Sequence, residues 1–326
     1  MRILIMGTYY GFPLGAGKRY GGIEAVTWFL ARELVRNRHQ VTVVGGKGTE
    51  LEGAEVINYP SPWQNIIPWI RENKARWDIL HDMSHGLEIN AALKGDMKVL
   101  ATLENPNDPK DATNVVVPSK FSVGYTEMYY GRKTKCIYNS VSEDVYPFYP
   151  QKRQKYVLQM SVMEHRKGVI EVLKGAKQAG YPVYLAGLKS QSPAYQKMVD
   201  SYTDGVNAVW FGEVGGQKKL DLLGSATSTM LYANWSEPGS MCGPESLSVG
   251  TPLMANTTGC MQEYVIEGMN GYVVKEESEI ADAIHKCAEL DPKVVKETWY
   301  DSEFRSDVMA KRYMDVYYQV LDGETW

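Results

Sequence analysis

The chain has 326 residues, which is too long for one compact domain of ordinary size and suits two. Hydrophobic residues make up 44% and charged residues 23% of the sequence, as in globular proteins with buried cores, so a disordered or fibrous chain is excluded. The formal net charge of −4 leaves no surplus of Lys and Arg for binding a polyanion, and we expect no nucleic-acid partner.

The first half alternates short aliphatic runs with longer amphipathic stretches, which is typical of βαβ units around a buried parallel sheet. The first apolar run, residues 3–6, is far too short for a signal-peptide core or a membrane span. The helix predicted over residues 24–36 has its apolar side chains on one face and its charged ones on the other. The predicted strands are residues 3–6, 41–44, 79–80, 99–102 and 115–117.

A polar segment rich in proline and lysine, residues 146–155, interrupts this alternation and is the predicted linker. The alternation then resumes with a predicted helix over residues 169–178 and predicted strands over residues 156–160, 183–186, 208–211 and 228–232. Residues 307–321 form a long amphipathic helix, either a core-facing terminal helix or a strap between domains.

Two glycine patterns near the N-terminus resemble nucleotide-binding loops but do not fit them. Gly11 lies one residue too far from Gly17 for a phosphate loop, and Arg19 stands where a Ser or Thr must reach magnesium. A dinucleotide fingerprint needs an acidic residue at the end of the second strand, and none occurs there before Glu50. We therefore expect neither a Walker-type phosphate site nor a hydride-transferring enzyme.

Metal sites are also not predicted. His81 and His85 have the spacing of a zinc-protease helix, but Asp82 replaces the glutamate and the segment follows a strand. The cysteines are widely spaced and form no CxxC pair, which favours a reducing cytoplasm over a zinc site or a disulfide framework; they are Cys136, Cys242, Cys260 and Cys287.

The most informative stretch, residues 232–253, places Glu237 and Glu245 eight positions apart around a turn that contains Pro238 and Gly239. A turn with small side chains lets backbone N–H groups approach a ligand, and the N-terminus of a following helix favours an anion. A carboxylate accepts hydrogen bonds through two oxygens and suits vicinal hydroxyls. Two carboxylates beside such a turn could hold a sugar and a ribose.

This stretch resembles the E-x7-E signature of glycosyltransferase family 4, the retaining enzymes of GT-B architecture. Other segments resemble family elements in the same order, and they are residues 21–24, 117–119, 139–141, 167–168, 212–214, 259–263 and 270–271. The resemblance implies an α/β fold of two Rossmann-like domains facing across a cleft. Residues 1–149 would be the acceptor-side domain and residues 150–305 the nucleotide-sugar domain, with residues 306–326 a helix crossing back to the first.

The resemblance also implies site residues. Glu237 would bind the transferred sugar, Glu245 the nucleotide ribose, and Lys167 the departing diphosphate without a metal. Backbone groups would contribute further donor contacts at Gly239, Ser240, Met241, Cys242, Gly212, Val214, Gly21 and Gly22. No cofactor is implied, because the nucleotide sugar, with a UDP-sugar favoured, is a substrate.

The chain departs from the family pattern at three places. Ser161 stands where an arginine is expected, so Arg166 is the candidate for the second cation. Gly239 and Ser240 replace the usual aromatic residue and glycine after Glu237, which bears on the choice of donor sugar. His85 is the candidate for the first domain's catalytic histidine.

The predicted activity is transfer of a hexose to a carbohydrate, lipid or small-molecule acceptor. The alternatives are a nucleotide-sugar-binding protein with weak turnover, which Ser161 favours, and a sugar-nucleotide epimerase or a phosphorylase of the same architecture. Trp63, Trp69 and Trp77 lie among Lys and Arg, a mixture found at membrane surfaces, and this raises peripheral membrane contact as an alternative to an ordinary surface helix.

Overall fold

The computed structural model describes residues 1–7, 12–15, 21–58, 66–109, 111–149 and 153–326. Within this part the chain divides into two compact units. Unit 1 holds residues up to Ser140 together with Ser306–Trp326, and unit 2 holds Val141–Arg305. The division therefore lies before the predicted linker, and the C-terminal segment Ser306–Trp326 falls in unit 1.

Unit 1 is built on a parallel sheet with strand order β3-β2-β1-β4-β5-β6-β7. Continuous aliphatic runs such as Ile3 to Met6 form its centre because both faces of the sheet are covered. Its strands are β1 Arg2–Met6, β2 Gln40–Gly45, β3 Glu55–Asn58, β4 Ile79–Asp82, β5 Val99–Thr102, β6 Val115–Val117 and β7 Lys135–Cys136. Its helices are α1 Gly22–Arg36, α2 Ile66–Asn73, α3 Glu88–Leu93, α4 Lys120–Tyr130 and, at the C-terminus, α11 Ser306–Leu321.

Unit 2 has a second parallel sheet, with strand order β10-β9-β8-β11-β12-β13. Its strands are β8 Val157–Met160, β9 Val183–Ala186, β10 Ala208–Trp210, β11 Ser228–Leu231, β12 Leu253–Asn256 and β13 Gly271–Val274. Its helices are α5 Val169–Ala179, α6 Pro193–Tyr202, α7 Gly216–Ser225, α8 Cys242–Val249, α9 Ile280–Ala288 and α10 Pro292–Tyr300. Both units are Rossmann-like, which confirms that part of the predicted fold.

Helix α11 packs against α1 and β5 inside unit 1. The hydroxyl oxygen of Tyr317 lies 2.9 Å from Nδ1 of buried His81, and the hydroxyl oxygen of Thr102 lies 2.7 Å from Nε2 of the same ring. Tyr313 adds a hydroxyl 2.9 Å from Thr102. Burial lowers the pKa of His81 to about 3, so the ring is neutral, and both ring nitrogens are hydrogen-bonded inside the core.

Candidate functional site

Glu237 and Glu245 both lie beside the turn between β11 and α8, and both are buried, with 6% and 2% of their surface exposed. The turn packs backbone to backbone against Gly259, whose φ is +63° and whose added Cβ would lie 2.5 Å from the Glu237 nitrogen. The Cys260 N–H also donates to the Glu237 carbonyl oxygen at 3.0 Å. A side chain at position 259 would therefore displace the segment that carries Glu237.

One oxygen of Glu237, Oε2, accepts hydrogen bonds from two donors. They are Nζ of Lys167 and, at 2.5 Å, the indole N–H of Trp235. Lys167 ends a 3-10 turn, His165–Lys167, and the next residue, Gly168, has a φ of +58°. An added Cβ at Gly168 would lie 2.2 Å from the Tyr232 ring, so glycine is required at the point that places the lysine.

Glu245 is held in the same manner, through its Oε1. The hydroxyl of Tyr146 donates to Oε1 at 2.8 Å and Nζ of Lys219 donates at 2.6 Å. Burial acts to lower the pKa of Lys219, but the Glu245 charge outweighs it and the pKa is raised above its ordinary value. The other oxygen of Glu245, Oε2, is buried and accepts no hydrogen bond from any described residue.

The residues between the two glutamates are positioned by contacts with neighbouring loops. The Ser240 N–H donates to the Tyr264 hydroxyl at 2.9 Å, and the Cys242 thiol donates to the Met160 carbonyl oxygen at 3.2 Å. Burial, with the nearby Glu245 charge, raises the pKa of Cys242 to about 12 and keeps the thiol neutral. Gly239 and Met241, the residues on either side of Ser240, are half-buried. Predicted donor contacts at these four residues remain predictions.

Two cations lie on the Trp235 side of Glu237. The Arg166 guanidinium carbon is 4.8 Å from the Trp235 ring centroid, Lys167 Nζ is 5.5 Å from it, and Arg166 also pairs with Glu164 at 2.6 Å. Ser161, at the position where an arginine was expected, is buried, and its hydroxyl has no hydrogen-bond partner among the described residues. The Arg166 side chain therefore lies on the same side of Glu237 as Lys167, but it is half-exposed and paired with Glu164.

The remaining predicted donor residues of unit 2, Gly212 and Val214, follow β10. Gly212 has a φ of +71°, and its carbonyl oxygen accepts from the Gly187 N–H at 2.8 Å. This links the loops after β9 and β10 at the carboxyl edge of the sheet, where ligands bind in open α/β folds.

In unit 1, Gly21 and Gly22 begin α1, and a Cβ added to Gly21 would lie 2.3 Å from Oε2 of Glu24. His85 follows β4, and its Nδ1 lies 2.8 Å from the Asn105 amide nitrogen. Burial lowers the pKa of His85, so the imidazole is biased toward its neutral form. The segment is a strand followed by a loop, as the sequence predicted, and not a zinc-protease helix.

The structure removes part of the basis for the tryptophan-rich membrane surface. Trp77 is 6% exposed and donates its indole N–H to Thr42 at 2.9 Å, and Trp69 packs on it with ring centroids 5.7 Å apart. These two rings lie in or against the core because α2 and the following turn cover the sheet. Trp63, like Gly11 and residues 16–20 of the glycine loop, lies outside the described residues.

Among the residues that the structure describes, no helix is long and apolar enough to cross a membrane. The same residues contain no group of three or more His, Cys, Asp or Glu side chains placed to hold a metal ion. Metal independence remains a prediction.

Three of the four side-chain donors that the described residues supply to the two glutamates were not predicted, and they are Lys219, Tyr146 and Trp235. Lys219 could not be singled out from the sequence, because it is one of two adjacent lysines in a segment with the pattern of a solvent-exposed helix. Tyr146 falls in the predicted linker. Glu104 of unit 1 was also missed. Its Oε2 accepts from Asn139 at 2.8 Å, its Oε1 accepts from no described residue, and burial raises its pKa to about 7.

Residues 147–297, all within unit 2, match the family model described as "Glycosyl transferases group 1". A search of curated proteins found no match. Among solved structures, the glycosyltransferase AviGT4, involved in avilamycin A biosynthesis, is 24% identical, with a TM-score of 0.84 and coverage of 100% of both chains.

Anabaena Alr3699/HepE, solved in complex with UDP, is 18% identical, with a TM-score of 0.75 over 97% of this chain and 99% of its own. It has also been solved with UDP-glucose. Sucrose-phosphate synthase from Thermosynechococcus elongatus is 16% identical, with a TM-score of 0.79 over 99% of this chain and 100% of its own. These likenesses confirm the GT-B fold class.

Proposed function

We propose that this protein is a retaining glycosyltransferase of family 4 that transfers a hexose from a nucleotide sugar, with a UDP-sugar favoured, to an acceptor hydroxyl. The group 1 glycosyl transferase match and the GT-B fold support a glycosyltransferase. The E-x7-E signature supports the family and the retaining mechanism, and the UDP and UDP-glucose complexes of HepE support the donor class.

The observation that carries the proposal is the pairing of both signature carboxylates in unit 2. Lys167 contacts Glu237 and Lys219 contacts Glu245, and each lysine binds only one oxygen of its partner. Buried ion pairs are expensive to desolvate, and packing alone gives no reason to place two of them around one turn. Each carboxylate also retains an oxygen with no donor among the described residues, suited to a ligand hydroxyl.

In the proposed reaction Glu237 orients the sugar through Oε1, and Lys167 moves from a purely internal ion pair to contact with the diphosphate. The glycosidic C–O bond breaks and its electron pair goes to the phosphate oxygen, which Lys167, Arg166 and the N-terminus of α8 stabilise. The acceptor oxygen bonds to the anomeric carbon from the same face, and its proton passes to the departing phosphate. Retention of configuration follows.

The residues of unit 1 are assigned to the acceptor and to the phosphate. Gly21 and Gly22 would present backbone N–H groups to phosphate, and His85 would contact the sugar or the acceptor. The acceptor class is a carbohydrate, a lipid or a small molecule, and peripheral membrane contact belongs to the lipid case. The free thiols of Cys136, Cys242, Cys260 and Cys287 support a reducing, cytoplasmic location.

A nucleotide-sugar-binding protein with weak turnover is the second candidate. The hydroxyl of Ser161 replaces a cation at the phosphate end of the site, which favours binding over leaving-group stabilisation. A sugar-nucleotide epimerase of the same fold would likewise not transfer the sugar to an acceptor. The acceptor-dependent step therefore separates these functions.

The test begins with thermal-shift measurements of the full chain with UDP, ADP and GDP and their sugars, because a ligand that binds the native state raises the melting temperature. The donor that binds is then assayed for transfer and hydrolysis, with and without EDTA. We expect Glu237→Gln and Lys167→Ala to reduce turnover by about 100-fold or more, as for loss of a preorganised charge. Glu277→Gln and Lys174→Ala, from an exposed pair of the same unit, are the matched controls.

A product of inverted configuration would overturn the retaining mechanism, and binding without turnover under any acceptor would favour the second candidate. The ligands tested are UDP, ADP and GDP and the glucose and galactose conjugates of each, nine in all. If none of the nine shifts the melting temperature, both candidate functions are overturned. Loss of activity in EDTA would contradict metal independence.

A further inference from the structure

Lys219 is a half-buried cation that the transfer reaction above does not use. It lies in α7, its side chain is 18% exposed, and its Nζ is 2.6 Å from Oε1 of Glu245. Its neighbour Lys218 is exposed and extends over the Phe211 ring. Only one lysine of the pair is therefore committed to the glutamate.

Tyr146 is the second residue committed to that oxygen. Its hydroxyl donates to Oε1 of Glu245 at 2.8 Å, and its own carbonyl oxygen accepts from the Ser248 hydroxyl at 2.6 Å. Glu245 and Ser248 are both in α8, so Tyr146 is fixed to this helix at two points. It is 2% exposed, which gives its hydroxyl little freedom to find another acceptor.

The distribution of donors over the carboxylate is unequal. A carboxylate has about four lone-pair positions on two oxygens, and Lys219 and Tyr146 occupy both positions on Oε1. Oε2 is buried and has no donor among the described residues. Burying an acceptor without a partner is unfavourable, so the unpaired Oε2 beside the fully engaged Oε1 is the oxygen suited to a donor from a ligand.

We infer that Lys219 and Tyr146 are positioning residues that hold Oε1 of Glu245, so that only Oε2 is left to accept a hydrogen bond from one ribose hydroxyl of the nucleotide. The site then selects ribonucleotides over the deoxynucleotide that lacks this one hydroxyl. The inference rests on the proposed function. It differs from the sequence-based expectation, in which both carboxylate oxygens bind a vicinal diol.

The experiment compares dissociation constants of the full chain for UDP, 2′-deoxy-UDP and 3′-deoxy-UDP by calorimetry, with the ADP or GDP series used instead if that base binds best. In the wild type, one deoxy form should bind about tenfold or more weakly and the other within about threefold, as expected for one hydrogen bond to a charged group. Lys219→Met and Tyr146→Phe should reduce the larger ratio to about threefold or less.

Two variants are matched controls. Lys218→Met removes the same charge one residue away, and Tyr149→Phe removes a hydroxyl that donates to exposed Asp221 at 2.9 Å. Both should keep the wild-type ratio. Because Lys219→Met leaves Glu245 buried without its cation, Tyr146→Phe, which keeps the ion pair, is the deciding variant if Lys219→Met does not fold.

Equal losses for the two deoxy forms in the wild type would overturn the single-hydroxyl contact. An unchanged ratio in folded Tyr146→Phe, or in Lys219→Met where it folds, would overturn the positioning role while leaving the proposed function in place. Absence of binding by UDP, ADP and GDP to the wild type would overturn the proposed function and this inference together.

Discussion

The ion pair between Lys167 and Glu237 provides a quantitative test of the site. Its side chains are only 15% and 8% exposed, so removing one partner leaves a poorly hydrated charge. Lys167→Met should destabilise the protein by about 3 kcal/mol, because Glu237 would keep only the Trp235 N–H. Glu237→Gln should cost about 2 kcal/mol, because the amide oxygen can still accept that bond while Lys167 loses its counter-charge.

The double variant Lys167→Met/Glu237→Gln leaves neither charge unpaired. Its cost should therefore be smaller than the sum of the single costs by about 2 kcal/mol. Urea unfolding monitored by circular dichroism and tryptophan fluorescence measures all four free energies. Lys174 and Glu277 form the control pair, with atoms 3.6 Å apart and side chains 50% and 44% exposed, and should couple by less than about 0.5 kcal/mol. Additive costs at Lys167 and Glu237 would refute the assignment of a coupled buried pair.

Two further predictions concern the backbone of the site and the core of unit 1. Gly259→Ala should destabilise the protein by about 2 kcal/mol or more and weaken nucleotide binding, because alanine disfavours the positive φ and its Cβ would clash with the Glu237 backbone. Urea unfolding measures the loss of stability, and calorimetry measures the loss of binding. Below pH 6.5 the contribution of His81 to stability should fall by up to about 1.4 kcal/mol per pH unit as the pH falls toward 3, because only the unfolded state protonates His81 there. The difference in unfolding free energy between the wild type and His81→Gln should show this slope, and His81→Gln should lack it.

Each of these predictions has a matched control. Gly268→Ala shares the positive φ, +75°, but its nearest atom is the Tyr272 hydroxyl at 3.9 Å, so it should cost only about 1 kcal/mol and leave binding intact. His285→Gln removes an exposed histidine and should leave the pH slope unchanged. Equal costs for the two glycine variants, or a wild-type slope in His81→Gln, would contradict the reasoning.

Local sequence was sufficient for most strands near the sheet centres. The predicted strands 99–102, 115–117 and 183–186 coincide with β5, β6 and β9, because buried parallel strands are continuous aliphatic runs whose ends are marked by polar residues or glycine. The short strands β3, β7, β12 and β13 were not predicted. Half-exposed residues in β3 and β7, the polar Asn256 at the end of β12 and the glycine at the start of β13 obscure the aliphatic pattern. Pairing with a neighbouring strand defines these four strands.

For the candidate site, sequence alone determined which residues were predicted: two carboxylates spaced around a turn, and Lys167 before a glycine. They could be singled out because they lie in short segments whose residue types suit the proposed chemistry. Only the tertiary structure decided which donors meet them. Tyr146 is 99 residues and Lys219 is 26 residues from Glu245, and each gains its partner when separate elements pack on α8. Hydrogen bonding depends on distance and direction in space, so the engaged and vacant oxygens of these carboxylates follow from the fold and not from residue spacing.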